Sequence, residues 1–226
     1  MSTIAHPHPI PAALATRRVQ GVAAIVAGPL FLAVVLVLTL VELDFMHGLG
    51  WRFTADDDVP WPSGLALGEY GAVQVVNFAL TATLLAVFAR GFRHELPASR
   101  AGRIASVLVA AVPAALALGA IPTDHATAIA GSPDTWHGYI HAAGFILLVF
   151  SALAAPVATA VALRGNHRWR GITAISLGAV VLELILTVGL GSLGDPVFAT
   201  WLAVVFGWMA ALGVRLRTLD DDPAVR

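Results

Sequence analysis

His137 and His141 stand four residues apart at the start of a long apolar run. On an α-helix that spacing stacks both imidazoles on one face, one turn apart. Such a pair can point at one metal ion, and Asp124 could add an oxygen ligand. Zinc held this way would activate a water, with His125 or Glu183 moving the proton. The same histidines could instead bond to neighbouring helices or cap a loop. The zinc-protease pattern H-E-x-x-H is absent, because Gly138, Tyr139 and Ile140 lie between them. Apart from this zinc, no cofactor is expected. The chain has no cysteine, which excludes disulfides, thiolate metal sites and thiol nucleophiles.

Glu183 is a carboxyl inside another apolar run. It could serve as a general base, or as the coupling carboxylate of a small proton-coupled transporter. It could also hydrogen-bond across helices to Asn77 or Gln74. Tyr70, Gln74 and Asn77 follow i, i+4, i+7 spacing, which places them on one helical stripe beside Glu69. They suit either a bound ligand or helix–helix hydrogen bonds.

The elements that carry these residues belong to a membrane. The 226-residue chain is 58% hydrophobic and only 12% charged, with a mean hydropathy of +0.82. Soluble domains carry about a quarter charged residues, and water would penalise the apolar surface that a soluble fold of this size left exposed. With a formal net charge of -1, no basic field points to nucleic acid as a partner; the expected surroundings are the lipid bilayer. All 13 basic residues are arginine, which fits the coding bias of a high-GC bacterium.

Six apolar runs read as spans: about 21–43, 67–89, 102–121, 136–163, 171–190 and 196–214. The first is ~34 Å long at helical rise, enough for ~30 Å of hydrocarbon. It is longer than the apolar part of a cleaved signal peptide and lacks a clean small-x-small site, so it reads as a retained span. Lipid cannot satisfy backbone polar groups, and runs of this length without alternation are helices rather than barrel strands. Pro113 and Pro156 read as sites of helix shaping. The fold expected is an all-α, six-helix membrane bundle over residues 21–215, with tails at 1–20 and 216–226. The triple acids at 56–58 and 220–222 read as solvated faces.

Orientation follows from the arginines. Twelve of the 13 fall before span one, between spans two and three, between four and five, or after span six; Arg52 alone falls on the other side. The positive-inside rule puts both tails in the cytoplasm and the protein in the cell membrane. Trp61, Trp136 and Trp201 fall at outer ends of spans and Trp169 at an inner end, as an aromatic belt would. Glu183 then lies ~11 Å deep from the outer face, with Asn77 at similar depth. The polar residues of the spans gather in the outer half, and ionisable groups in lipid normally face a bundle interior or a watery cavity. The expectation is a polar pocket open to the extracytoplasmic side.

Two stretches carry a resemblance. One runs from Pro62 through Ser63, Gly64, Leu65, Ala66, Leu67, Gly68, Glu69, Tyr70 and Gly71 to Gln74, Asn77 and Phe78. The other is Ile121, Pro122, Thr123 and Asp124, then Thr135 to His141. With six spans, the chain resembles the bacterial membrane family called domain of unknown function 998 over roughly residues 20–215. It departs from the pattern at Ile121 and at His125, where Phe and Pro are usual. The resemblance implies that Ser63, Tyr70, Asn77, Asp124, His137 and His141 belong to a recurring pattern, and it implies fold and topology but no reaction. The function expected is a multi-pass membrane protein whose outer pocket (Ser63, Glu69, Tyr70, Gln74, Asn77, Asp124 and Glu183) takes a lipid headgroup or small solute. The alternatives are a metal-dependent hydrolase using His137, His141 and Asp124, and a small transporter using Glu183. A looser similarity is to seven-helix membrane hydrolases with a zinc site.

Overall fold

A computed structural model describes residues 12–53, 61–130 and 132–219, with backbone alone at 12–15, 128–130 and 189–193. The proline-rich tail before residue 12 and both triple acids lie outside these residues. Among the described residues all regular structure is helical. The α-helices are α1 (Ala12–Val41), α2 (Leu43–Gly48), α3 (Gly71–Arg93), α4 (Arg100–Gly119), α5 (His125–Ala130), α6 (Trp136–Leu163), α7 (Ile172–Leu193) and α8 (Asp195–Thr218). Short 3-10 turns occupy Ser63–Leu67 and His167–Trp169.

Among the described residues, five helical segments are long and apolar enough to cross a bilayer: Thr16–Val41, Gly71–Arg93, Arg100–Gly119, Trp136–Leu163 and Asp195–Thr218. A shorter apolar stretch, Ile172–Val188, lies in α7. The chain is therefore a multi-pass membrane protein. The helix that carries Gln74 and Asn77 begins at Gly71 rather than near Leu67, because Ser63–Leu67 winds as a 3-10 turn first. The short helices α2 and α5 lie outside the apolar runs, where the periodicity signal is weakest.

The long helices form a closed ring. In order, α1 packs on α3, α3 on α4, α4 on α6, α6 on α7, α7 on α8, and α8 back on α1. Sequential neighbours joined by short loops pack antiparallel, and α3 and α7 end up on opposite sides of the ring. Each helix buries one stripe. On α1 this stripe is Ala24, Ala27, Phe31, Val35 and Leu38; on α7 it is Ile172, Ser176, Ala179 and Glu183. The remaining faces expose large apolar side chains such as Leu36, Val37 and Leu40 on α1 and Val181, Ile185 and Val188 on α7. In water this surface would be costly; in hydrocarbon it is matched to its solvent.

The arginine-rich end is tied together by ions. Glu95, between α3 and α4, meets Arg17 of α1 at 2.8 Å and Arg168 of the α6–α7 connection at 3.8 Å. Arg215 of α8 donates from Nε to the Arg168 carbonyl at 2.6 Å. At the opposite end, the Trp61 indole donates to Thr39 Oγ1 at 3.0 Å, and the Trp51 indole donates to Asp195.

Candidate functional site

Asp124 builds the end of the bundle that holds the histidines. Its Oδ1 accepts from the Thr127 amide at 2.8 Å and the Thr127 hydroxyl at 2.6 Å. Its Oδ2 accepts from the Asp134 amide at 3.2 Å, the Thr135 amide at 3.0 Å and the Thr135 hydroxyl at 2.6 Å. One carboxylate thus caps α5 and closes the segment from 124 to 135. Thr135 also caps α6, accepting the Gly138 amide on its Oγ1 at 3.2 Å. The hydroxyls of Thr127 and then Thr135, with their amides, hold the Asp124 carboxyl well below the usual carboxylate range.

With α6 anchored this way, its two histidines reach back to the end of α4. His137 Nδ1 lies 3.0 Å from the Pro122 carbonyl. His141 Nδ1 lies 2.7 Å from the Ile121 carbonyl, and its Nε2 lies 2.9 Å from Ser63 Oγ. A carbonyl only accepts, so each Nδ1 carries a proton. In neutral His141 the acceptor is then Nε2, and the Ser63 hydroxyl donates to it.

Ser63 and His141 form part of the wall of a cavity of about 30 Å³, room for about two water molecules. The rest is apolar: Phe31 of α1, Phe78 of α3, Ala115 and Leu116 of α4, Gly144 and Phe145 of α6, Phe198 and Leu202 of α8. The Phe78 ring meets the His141 ring edge-on at 6.3 Å.

The other candidates divide. Gln74 and Asn77 are buried and bonded into the backbone: Gln74 donates to the Pro62 carbonyl at 3.3 Å, and Asn77 donates to the Phe31 carbonyl and to Gln74 Oε1, both at 3.2 Å. They brace α3 against α1 and against the segment bearing Ser63. Tyr70 and Glu69 are exposed, and Tyr70 precedes the helix. His125 is exposed at the start of α5.

Glu183 is fully buried, and neither carboxyl oxygen has a hydrogen-bond partner among the described residues. No bond joins it to Asn77 or Gln74, because α7 packs on α6 and α8, across the ring from α3. The Trp208 indole donates to Ser176 Oγ at 3.0 Å and so fixes the antiparallel register of α7 against α8. Two turns further along each helix, that register brings Glu183 to the level of Trp201. Trp201 is also buried, and its indole N–H has no partner among the described residues.

The zinc set does not converge. Both oxygens of Asp124 are committed to Thr127, Asp134 and Thr135, and both nitrogens of His141 are engaged. Among the described residues, no group of three His, Cys, Asp or Glu side chains could hold a metal ion.

Sequence reasoning missed two features. One is Glu42, a buried carboxylate that accepts the Tyr70 amide and so ties the end of α1 to the start of α3. Its position inside the last turn of the first apolar run was the available signal. The other is the bond between Ser63 and His141, for which no local pattern exists.

A ring of apolar helices, most of them long enough to cross a bilayer, defines the class: a multi-pass membrane protein. Within that class, the family described as Protein of unknown function (DUF998) matches residues 62–216, and the chain belongs to it. No curated protein and no solved structure matches.

Proposed function

We propose that the cavity beside Ser63 and His141 receives the small polar end of a membrane lipid or lipid-like solute. The observation that carries this is the wall itself: one hydroxyl and one imidazole set into a surround of phenylalanine, leucine and alanine. Ligand sites combine that kind of apolar lining with a few placed polar groups. The size argues for a carbonyl, ester or hydroxyl group rather than a whole headgroup in the cavity. An attached chain would follow the apolar wall at Phe145, Phe198 and Leu202.

In this reading α7 is the sixth span and residues 21–215 form one six-helix domain. Both tails lie in the cytoplasm, the cavity opens toward the extracytoplasmic face, and the protein resides in the cell membrane. The arginine distribution supports that orientation. The 22-residue length of α7 supports the sixth crossing.

Gly144 offers the test. A Cβ there would meet Leu118 Cβ at 2.8 Å and the Ala115 carbonyl at 3.0 Å, so Gly144→Leu must fill or deform the cavity. Lipids retained by purified wild type through delipidation, identified by mass spectrometry, should be absent from Gly144→Leu. An identical retained set in both proteins would overturn the reading.

A further inference from the structure

We propose that Ser63 is a nucleophile assisted by His141, and that it cleaves a carboxylic ester of a membrane lipid. The proposal rests on the cavity's accepting the polar end of a lipid and adds a reaction to it.

Activating a serine needs a base within hydrogen-bond reach and a third group that orients the base. Both are present. Ser63 Oγ lies 2.9 Å from His141 Nε2, and the Ile121 carbonyl holds His141 Nδ1 at 2.7 Å. A backbone carbonyl fills the orienting role because it accepts the Nδ1 proton and leaves Nε2 free to take another. The orienting carbonyl is itself fixed. Ile121 lies three residues before Asp124, whose five hydrogen bonds close the turn that follows. His141 is 8% exposed, so little water competes for its ring.

Two further facts separate this pair from a helix-bracing hydrogen bond. Both residues face the cavity, so a third molecule can reach the oxygen they share. Bracing of the Ser63 segment against α3 is already supplied by Gln74 on the Pro62 carbonyl.

The chemistry balances without a metal or redox partner. Ser63 Oγ attacks the ester carbonyl carbon while its proton passes to His141 Nε2. The bond from that carbon to the alkoxy oxygen breaks, and His141 returns the proton to the departing alcohol. A water then attacks the acyl-serine with His141 again taking a proton, the acyl–Oγ bond breaks, and Ser63 recovers its hydrogen as the carboxylic acid leaves. The cavity has room for that water beside the seryl oxygen.

The test uses the full chain in lipid nanodiscs and a fluorophosphonate probe, which phosphonylates activated serines. Wild type should be labelled at Ser63, as located by peptide mass spectrometry. Ser63→Ala should not be labelled, and His141→Gln should react on the order of 100-fold more slowly, the usual contribution of a general base. Because the chain has no cysteine, Ser63→Cys supplies a second readout that needs no fluorophosphonate. Its thiol should react with iodoacetamide faster than the same thiol in the Ser63→Cys, His141→Gln double variant. No labelling of wild type, labelling that survives Ser63→Ala, or equal rates with and without His141 would each overturn the proposal. Lipid retention by wild type separates the two levels: retained lipid without reactivity sinks the nucleophile and leaves the cavity's lipid role standing. Loss of both the retained lipid and the fluorophosphonate labelling in Gly144→Leu would support both.

Discussion

A carboxylate that accepts five hydrogen bonds at one loop is unusual in its concentration, and Asp124 makes its environment testable by pH. Hydrogen bonds to the ionised form hold its titration below the ordinary value near 3.9. The sign follows by linkage. The folded protein binds that proton less readily than the unfolded chain does. Its contribution is therefore complete at neutral pH and is lost as pH falls below about 4 toward the folded value. Thermal midpoints of wild type in detergent should hold steady from pH 7 to 5 and then fall. Asp124→Asn should be less stable by about 2 kcal/mol at pH 7, since its amide nitrogen cannot accept from the donors around it. Its midpoint should show a weaker acid decline. An equal acid slope in both proteins would mean that Asp124 is not the linked group. At this scale the sequence spoke unevenly. The residue types at 124, 137 and 141 mark a polar cluster. Their partners are mostly backbone carbonyls and amides, at Ile121, Pro122, Asp134 and Thr135, which residue type does not encode. The pairing of Ser63 with His141 spans 78 residues of chain, so no local spacing could reveal it.

The helices themselves were legible because lipid allows no other backbone solution over a run of apolar residues. Where each helix begins was less so. The start of α3 depends on a 3-10 turn at Ser63–Leu67, and α2 and α5 are too short to give a period. How closely two helices approach is also hidden, and here glycine decides. At the crossing of α1 and α8, a Cβ on Gly213 would stand 2.6 Å from the Gly21 carbonyl and 2.8 Å from Ala24 Cβ. Small residues at such crossings let backbones pack closely where no hydrophobic effect drives association. Gly207, on the same helix, has nothing within 4 Å of its Cβ position. The same substitution should therefore act in opposite directions. Gly213→Ala forces the contact that closes the ring apart and should cost about 1–3 kcal/mol. Gly207→Ala meets no obstacle and should gain about 0.5–1 kcal/mol from its lower backbone entropy. Paired thermal midpoints in one detergent decide the matter, and equal shifts in the two variants would contradict the α1–α8 packing.

At the level of the whole molecule, ring closure and charge distribution constrain each other. Glu95 can meet both Arg17 and Arg168 only if the start of α1, the α3–α4 connection and the α6–α7 connection share one end of the bundle. Residues 124–135 and the Ser63 segment then share the other end, joined through His141. Two ends with opposite charge content mean that orientation is decided for the molecule at once rather than helix by helix. The absence of cysteine makes this measurable with single introduced thiols. Ala98 and Ser132 are both exposed in connections at opposite ends. In intact cells, a membrane-impermeant maleimide should label Ser132→Cys and should reach Ala98→Cys only after permeabilisation. Labelling of Ala98→Cys alone would invert the molecule and turn the Ser63–His141 cavity toward the cytoplasm. Equal labelling of both positions in intact cells would break the link between ring and bilayer, because one impermeant reagent cannot reach both ends of a spanning bundle from a single side.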